Sequence, residues 1–584
     1  VARKKTIVVV VVLVSFFFLL PALAGLAVFG LLSESKPKVE SGSVLALDLR
    51  ETIEETTERP LLESLQGKSP ASLLETVRLL RAASEDPRID AVFIRAGMLG
   101  GIGWAGAGEL REAILEFRKS GKPVHVYIDY ATDLAYMVAA AADRIAMPLT
   151  GALLVDGIYG DVLFFKNLFA KADISFEEVH VGDYKSAPEI FTRDSMSEPF
   201  REQIEAILDN RFDAMLEAIA DGRSMSLEEA RRAVDGGPYL VPEIALEAGL
   251  IDTICFRDDF DETLGLEKDD GSRLLAMEDY RDSGVLSEKE AKRALALVYV
   301  VGDIVPGEKR DGLAGPEVAA SGVIADAIEE AAEDDEVEAI VVRVSSPGGS
   351  ATASDDILAA LEAAKTEKPV VVSMGDVAAS GGYWVSSGAN LVFADATTVT
   401  GSIGVFALRP VFHRFFDKIG IGREELQRGR NADIFASPRP WSEEHRNMMK
   451  AGIDHIYDLF LAKVAAGRGL PIEEVEKVAS GRVWSGEDAA RVKLIDRLGG
   501  VLDAIDAAKS LAGIPAEEEI KIRVFPKEQS ILEKIREADF GIRASVGAEV
   551  RRFLARYEID ATDLLPYAEE HGIFWAYLPF RIRE

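Results

Sequence analysis

A stretch in the first half of the chain recurs about a quarter-thousand residues later, and that recurrence limits what the chain can fold into. Asp90-Ala-Val-Phe-Ile-Arg-Ala96 matches Glu338-Ala-Ile-Val-Val-Arg-Val344, and Ala142-Asp-Arg-Ile-Ala-Met matches Ala389-Asn-Leu-Val-Phe-Ala. The offsets are 343 − 95 = 248 and 389 − 142 = 247. Further on, Leu246-Glu-Ala-Gly-Leu-Ile-Asp252 echoes Ala490-Arg-Val-Lys-Leu-Ile-Asp496. Each copy reads strand, helix, strand, Gly-rich turn, helix, strand. Alternating β and α elements predict α/β units with a largely parallel sheet. The expected division is 38–285 and 286–514 for the two copies, with 1–37 before them and 515–584 after. Arg281 to Arg293 is charged and suits a connector. Beyond Pro515 no further repeat is expected. There Glu517 to Val524 reads as a strand, Ile531 to Tyr557 has helical period, and the aromatic end Phe574 to Phe580 suits packing on another copy.

The stretch that carries chemistry is Val370-Val-Val-Ser-Met-Gly-Asp-Val-Ala-Ala-Ser-Gly-Gly-Tyr-Trp384. Its β-branched start reads as a buried strand from Val370 to Met374, broken by Gly375-Asp376. Ser380 then stands where a helix should begin, followed by two glycines. Such a serine is either a helix cap or a nucleophile whose oxyanion meets backbone N–H groups. The repeat weighs between these. At the 247 offset Ser380 falls on Asp133, Gly381 on Leu134 and Gly382 on Ala135, while Tyr383 meets Tyr136. In Val181-Gly-Asp-Tyr-Lys-Ser-Ala187 the same offset puts Gly182 on Gly429 but Lys185 on Ala432. Each half lacks what the other keeps, as expected of a serine–lysine site divided between halves.

Serine needs a base. No histidine lies in either Gly-rich turn, and the Gly-x-Ser-x-Gly elbow is absent. Lysine serves as a base only when neutral, which requires burial or a nearby cation. Tyr184 and Ser186-Ala187 around Lys185 permit that, and Asp183 opposes it if it points inward. An oxyanion needs donors: Gly381 N–H is one, and Gly348 or Gly349 in Val344-Ser-Ser-Pro-Gly-Gly-Ser350 is the other. Ser402, in Thr400-Gly-Ser-Ile-Gly404, is placed to hydrogen-bond the lysine amine.

The formal charge of −33 argues against nucleic acid as a partner. The single cysteine, Cys255, excludes an intramolecular disulfide and a cysteine zinc site, and reads as a buried structural thiol. None of the six histidines forms a metal-spaced pair, and no cofactor or metal is expected. Residues 7–32 carry no charge and follow Arg3-Lys-Lys5. At 1.5 Å per residue they span about 39 Å, enough to cross a bilayer core of ~30 Å. An uncleaved single-pass anchor is expected, with the rest of the chain exported; Ala22-Leu-Ala24 offers the rival reading of a cleavage site.

These ordered motifs, from the N-terminal anchor through Gly-Asp-Tyr-Lys-Ser, Ser-Ser-Pro-Gly-Gly and Ala-Ala-Ser-Gly-Gly-Tyr-Trp to Thr-Gly-Ser-Ile-Gly, resemble the bacterial signal peptide peptidase A family in its long, duplicated form, within peptidase family S49. The resemblance implies two tandem Clp protease/crotonase-like domains after an N-terminal transmembrane helix. It implies a Ser/Lys dyad of Ser380 and Lys185, oxyanion donors Gly348 and Gly381, and Ser402 as the lysine's partner. It also implies apolar peptide substrates such as signal peptides, a bilayer contact through 7–32, an inner-membrane location with the catalytic part on the periplasmic side, and a homotetramer. The rival readings are a crotonase-type acyl-CoA enzyme and a non-catalytic membrane scaffold.

Overall fold

A computed structural model describes residues 37–56, 72–263, 273–286, 291–307, 318–436, 438–526 and 575–576. The apolar run 7–32 and the helical-period segment 531–557 lie outside the described residues. Among the described residues no helix is long and apolar enough to cross a membrane.

The two recurring strands sit inside two sheets. The first sheet orders its strands Thr253–Ile254, Arg144–Met147, Val124–Ile128, Ile89–Ala96, Ser43–Asp48 and Leu274–Ala276, every pair parallel. The second orders Val483–Ser485, Val399–Gly401, Val370–Ala379, Val337–Ser346, Ala294–Val301 and Lys521–Phe525, with Leu391–Ala394 branching from Val370–Ala379. Both central strands are almost continuously apolar, as strands covered on both faces must be.

The repeat runs further than the sequence suggests. Lys521–Phe525 pairs in parallel with Ala294–Val301 just as Leu274–Ala276 pairs with Ser43–Asp48, and 521 − 274 = 247. Leu274-Leu-Ala and Lys521-Ile-Arg share no residue, so only the backbone reveals the match. The strand from Val370 also does not end at Gly375-Asp376. It runs to Ala379 and changes neighbour there, Met374 pairing with Ala394 and Val377 with Val399. An irregularity between Val344 and Ser346 in the facing strand absorbs the shift, which re-aims the strand end as bulges do. Cys255 is half-buried rather than buried, because its strand stops at Ile254.

The halves are joined by buried polar groups as well as by apolar packing. Helix Ala351–Ala364 is capped by its own Ser350. The equivalent helix Trp104–Lys119 starts after Gly103, which has no side chain to cap with. Asp376 of the other half supplies the carboxylate, accepting from the N–H groups of Gly103 (2.7 Å), Ala105 (2.9 Å) and Gly106 (3.1 Å). Negative charge is favoured at that helix end. Arg343, fully buried, pairs with Glu55 at 2.6 Å and Glu109 at 2.7 Å, both from the first half. Glu109 in turn accepts from the Val501 N–H at 2.7 Å, and burial pushes its carboxyl up to about 7 against the pull of Arg343. One hydrophobic core collects Leu79, Leu110 and Phe117 of the first half with Leu297, Val341 and Ile505 of the second. In a third sheet Ser175–Val181 pairs antiparallel with Val405–Val411, from Val405 opposite Val181 to Val411 opposite Ser175.

Candidate active site

Ser380 ends the strand Val370–Ala379 and precedes the helix Gly381–Ser386. Its backbone has φ 56° and ψ −114°, a conformation that costs a non-glycine residue about 1–3 kcal/mol. The surroundings impose it: Ser380 N–H donates to Gly401 O and Trp384 N–H donates to Ser380 O, each at 2.8 Å. Tyr383 fixes the helix by donating to Leu494 O at 2.8 Å, as its counterpart Tyr136 donates to Leu250 O at 2.6 Å. A Cβ at Gly381 would stand 2.5 Å from Ser354 Oγ and 3.2 Å from Gly349 N, so only glycine lets this turn close. The Ser380 hydroxyl makes no cap hydrogen bond. It faces Lys185 instead.

Lys185 lies in the loop after strand Ser175–Val181, and the antiparallel pairing with Val405–Val411 carries that loop across to the second half. Its Nζ stands 2.8 Å from Ser380 Oγ, 3.0 Å from Ser402 Oγ and 3.1 Å from Ser402 O. The lysine is 1% exposed and Ser380 and Ser402 are 0% exposed. Burial alone holds the amine well below the usual lysine range. Asp183 is exposed, so it does not re-stabilise the charged form. A neutral amine here accepts the Ser380 proton and donates its own to the two Ser402 oxygens. The geometry therefore brings Ser380, Lys185 and Ser402 together, although 195 residues separate the first two (380 − 185).

The lysine loop is clamped by residues that sequence reasoning missed. Gln203, fully buried on helix Glu198–Gly222, donates to Tyr184 O at 3.1 Å and Ser186 Oγ at 2.7 Å, and accepts from Val483 N–H at 3.1 Å. The signal was a polar residue at core spacing, between Phe200, Ile204 and Ile207, all buried. Ser480 O accepts from Tyr184 N–H at 2.9 Å. Gly481, with φ 80°, passes so close to the Lys185 backbone that a side chain there would displace the loop.

Of the expected oxyanion donors, Gly381 begins the helix beside Ser380. Gly348 donates its N–H to Ser346 Oγ at 3.1 Å, and Gly348 Cα and Gly349 N lie close to Gly381, each 3.2 Å from where its Cβ would stand. Gly349–Ser350 and Val405–Val411 are both edges paired antiparallel by the backbone of Trp575–Ala576, which lies between them. An extended peptide backbone thus fits this groove by strand addition. Among the described residues no cluster of His, Cys, Asp or Glu could hold a metal.

Comparison with known proteins agrees with this geometry. The model of peptidase family S49 matches twice, at residues 116–269 and 362–515, starts separated by 362 − 116 = 246, close to the internal offset. The chloroplastic serine protease SPPA of Arabidopsis thaliana is 33% identical over 495 residues, 83% of this chain and 71% of the relative. Protease 4 of Haemophilus influenzae is 32% identical over 456 residues (75% and 73%), and Protease 4 of Salmonella typhi 31% over 497 (83% and 78%). The chain belongs to peptidase family S49 and is a serine protease with two S49 units in tandem.

Proposed function

We propose that Ser380 is the nucleophile and Lys185 the general base of an endopeptidase acting on apolar peptides, signal peptides among them. The observation that carries this is the buried 2.8 Å contact between Lys185 Nζ and Ser380 Oγ, made across the two halves. Ser380 Oγ attacks the scissile carbonyl carbon while Lys185 takes its proton. The resulting oxyanion is held by the N–H groups of Gly381 and of Gly348 or Gly349. Its collapse breaks the C–N bond, and the lysine returns the proton to the leaving amine. Lys185 then deprotonates a water that releases the acyl group from Ser380. Ser402 keeps the amine aimed at the hydroxyl. The apolar run 7–32 supports an anchored protein with its catalytic part on the exported side, where signal peptides are met; a relative in Enterococcus faecium carries the name putative signal peptide peptidase SppA. A division between 285 and 286, with the second unit running past the expected 514 through strand Lys521–Phe525, and a homotetrameric state complete the reading.

The test is hydrolysis of an apolar fluorogenic peptide, with labelling by a serine-acylating probe. Ser380→Ala and Lys185→Ala should each lose at least about 10³-fold in kcat, and the probe should label Ser380 alone. Full activity in either variant, or labelling elsewhere, overturns the dyad. An acyl-CoA enzyme or an inert scaffold would show no peptide turnover.

A further inference from the structure

The repeat separates residues that serve the fold from residues that serve one junction only. Groups required by the shared architecture recur in both halves. Tyr136 answers Tyr383, and Gly101 answers Gly349 (349 − 101 = 248). A Cβ at either glycine would stand 2.1 Å from an isoleucine carbonyl oxygen, that of Ile53 or Ile304. A set of side chains packed around the lysine loop does not recur. Tyr184 falls on Asn431 (431 − 184 = 247). The helices Glu198–Gly222 and Glu443–Arg468 each follow a capping serine, Ser197 and Ser442, and at that spacing of 245 Glu202 falls on Asn447. The turn holding Arg482 lies between helix pairs spaced by 245 (472 − 227) and 244 (486 − 242), which puts Arg482 on Gly237 or Pro238. The aromatic ring, the carboxylate and the guanidinium are thus present only where Lys185 meets Ser380.

These three side chains form one cluster across the halves. The Arg482 guanidinium lies over the Trp484 ring at 4.4 Å and over the Tyr184 ring at 5.0 Å. Its Nη1 donates to Glu202 Oε1 at 2.8 Å, and the Tyr184 hydroxyl donates to Glu202 Oε2 at 2.7 Å. Trp484 is held in turn, its Nε1 donating to Val478 O at 2.9 Å. The main chain of Arg482 acts on the far side of the amine. Arg482 O accepts from Ser402 N–H at 2.7 Å, and Ser402 has φ 54°. In that conformation Ser402 offers both its oxygens to Lys185 Nζ. A part-exposed ion pair alone would hold the loop weakly. A planar guanidinium stacked on two rings adds a contact that lysine does not reproduce. We propose that Arg482 is a positioning residue for the general base: its side chain grips Tyr184, its main-chain oxygen fixes Ser402, and together they keep the Lys185 amine aimed at Ser380 and out of water. Charge agrees. Glu202 and Arg482 neutralise each other beside the loop and Asp183 is exposed, so the amine is governed by its burial. The inference rests on Lys185 being the base.

The experiment uses the full chain in detergent and reads kcat and KM on an apolar fluorogenic peptide as a function of pH. Arg482→Met should lower kcat at least about tenfold with KM within about twofold. The acid limb of kcat/KM should move to higher pH, because a loosened loop admits water and returns the amine toward the ordinary lysine range. Arg482→Lys, which keeps the charge beside Glu202 and loses the stack, should recover less than about threefold of the lost kcat. Tyr184→Leu removes the other face of the contact without touching Arg482. It should match Arg482→Met, and the double variant should lose no more than about twofold beyond either single one. Full recovery by lysine, independent losses in the double variant, or an early melt with kcat and the acid limb unmoved overturns the proposal. Lys185→Ala, assayed alongside, tells the two readings apart. Full activity there overturns the dyad and the positioning role with it, whereas an inactive Lys185→Ala beside an unaltered Arg482→Met overturns the positioning role alone.

Discussion

Burying a lysine amine with no carboxylate beside it destabilises the fold, and Lys185 shows how far that is taken here. Its folded pKa lies below that of the unfolded chain, so between the two values the unfolded state binds more protons. Stability must rise with pH across that window. Lys185→Met should therefore be inactive yet more stable at pH 7, by about 1–2 kcal/mol, the gain shrinking as pH approaches that of a free lysine. Denaturant midpoints at several pH values measure this. Activity should fall on the acid side, as the amine takes up a proton, and Lys185→Arg should stay inactive at every pH because guanidinium does not deprotonate. Ser402→Ala removes one of the two oxygens that orient the amine. It should lower kcat about 10- to 100-fold with KM nearly unchanged, as initial rates on a peptide series will show. Gln203→Leu removes the buried partner of Val483 N–H and of Ser186 Oγ and leaves Tyr184 O with only the Ser186 N–H. It should cost about 1–3 kcal/mol in a thermal melt. The pairing of Ser380 with Lys185 was legible in the sequence because duplication left an informative blank in each half. Gln203 was not, since one glutamine among helical core positions says nothing of which loop it will meet.

At the scale of elements, the helix Trp104–Lys119 depends on a cap borrowed from the strand that ends in Ser380. Asp376→Ala should cost about 1–2 kcal/mol, the usual worth of a cap. Gly103→Ser should recover part of that loss, because Ser350 performs this office in the equivalent helix. In the unsubstituted chain the same change should destabilise, since a Cβ at Gly103 would stand 3.0 Å from Asp376 Cγ. Opposite signs in the two backgrounds, read from a double-mutant cycle in denaturant, are the check. The element order was legible from alternating periodicity. The strand's continuation through Gly375-Asp376 was not, because a glycine in an apolar run marks an ending and a change of neighbour equally well.

For the whole molecule, Arg343 decides whether two units behave as one body. Replacing it by Met would leave the buried Glu109 and the half-buried Glu55 without their cation, at a cost of about 3–5 kcal/mol. Melting temperature and peptidase activity should fall together, because the base and the nucleophile are held in register only by the contact between halves. Sequence showed that there are two units, and could not show how they stack, since Arg343 and its counterpart Arg95 look alike and only one is buried. The divided dyad has a consequence in time as well as in space. A ribosome delivers Lys185 first and Ser380 195 residues later, so with the proposed dyad a nascent chain holds a base with nothing to activate and cannot cut itself or its neighbours. Reactivity switches on only when the last large unit has closed on the first, which makes acylation of Ser380 a clock for the completion of biogenesis.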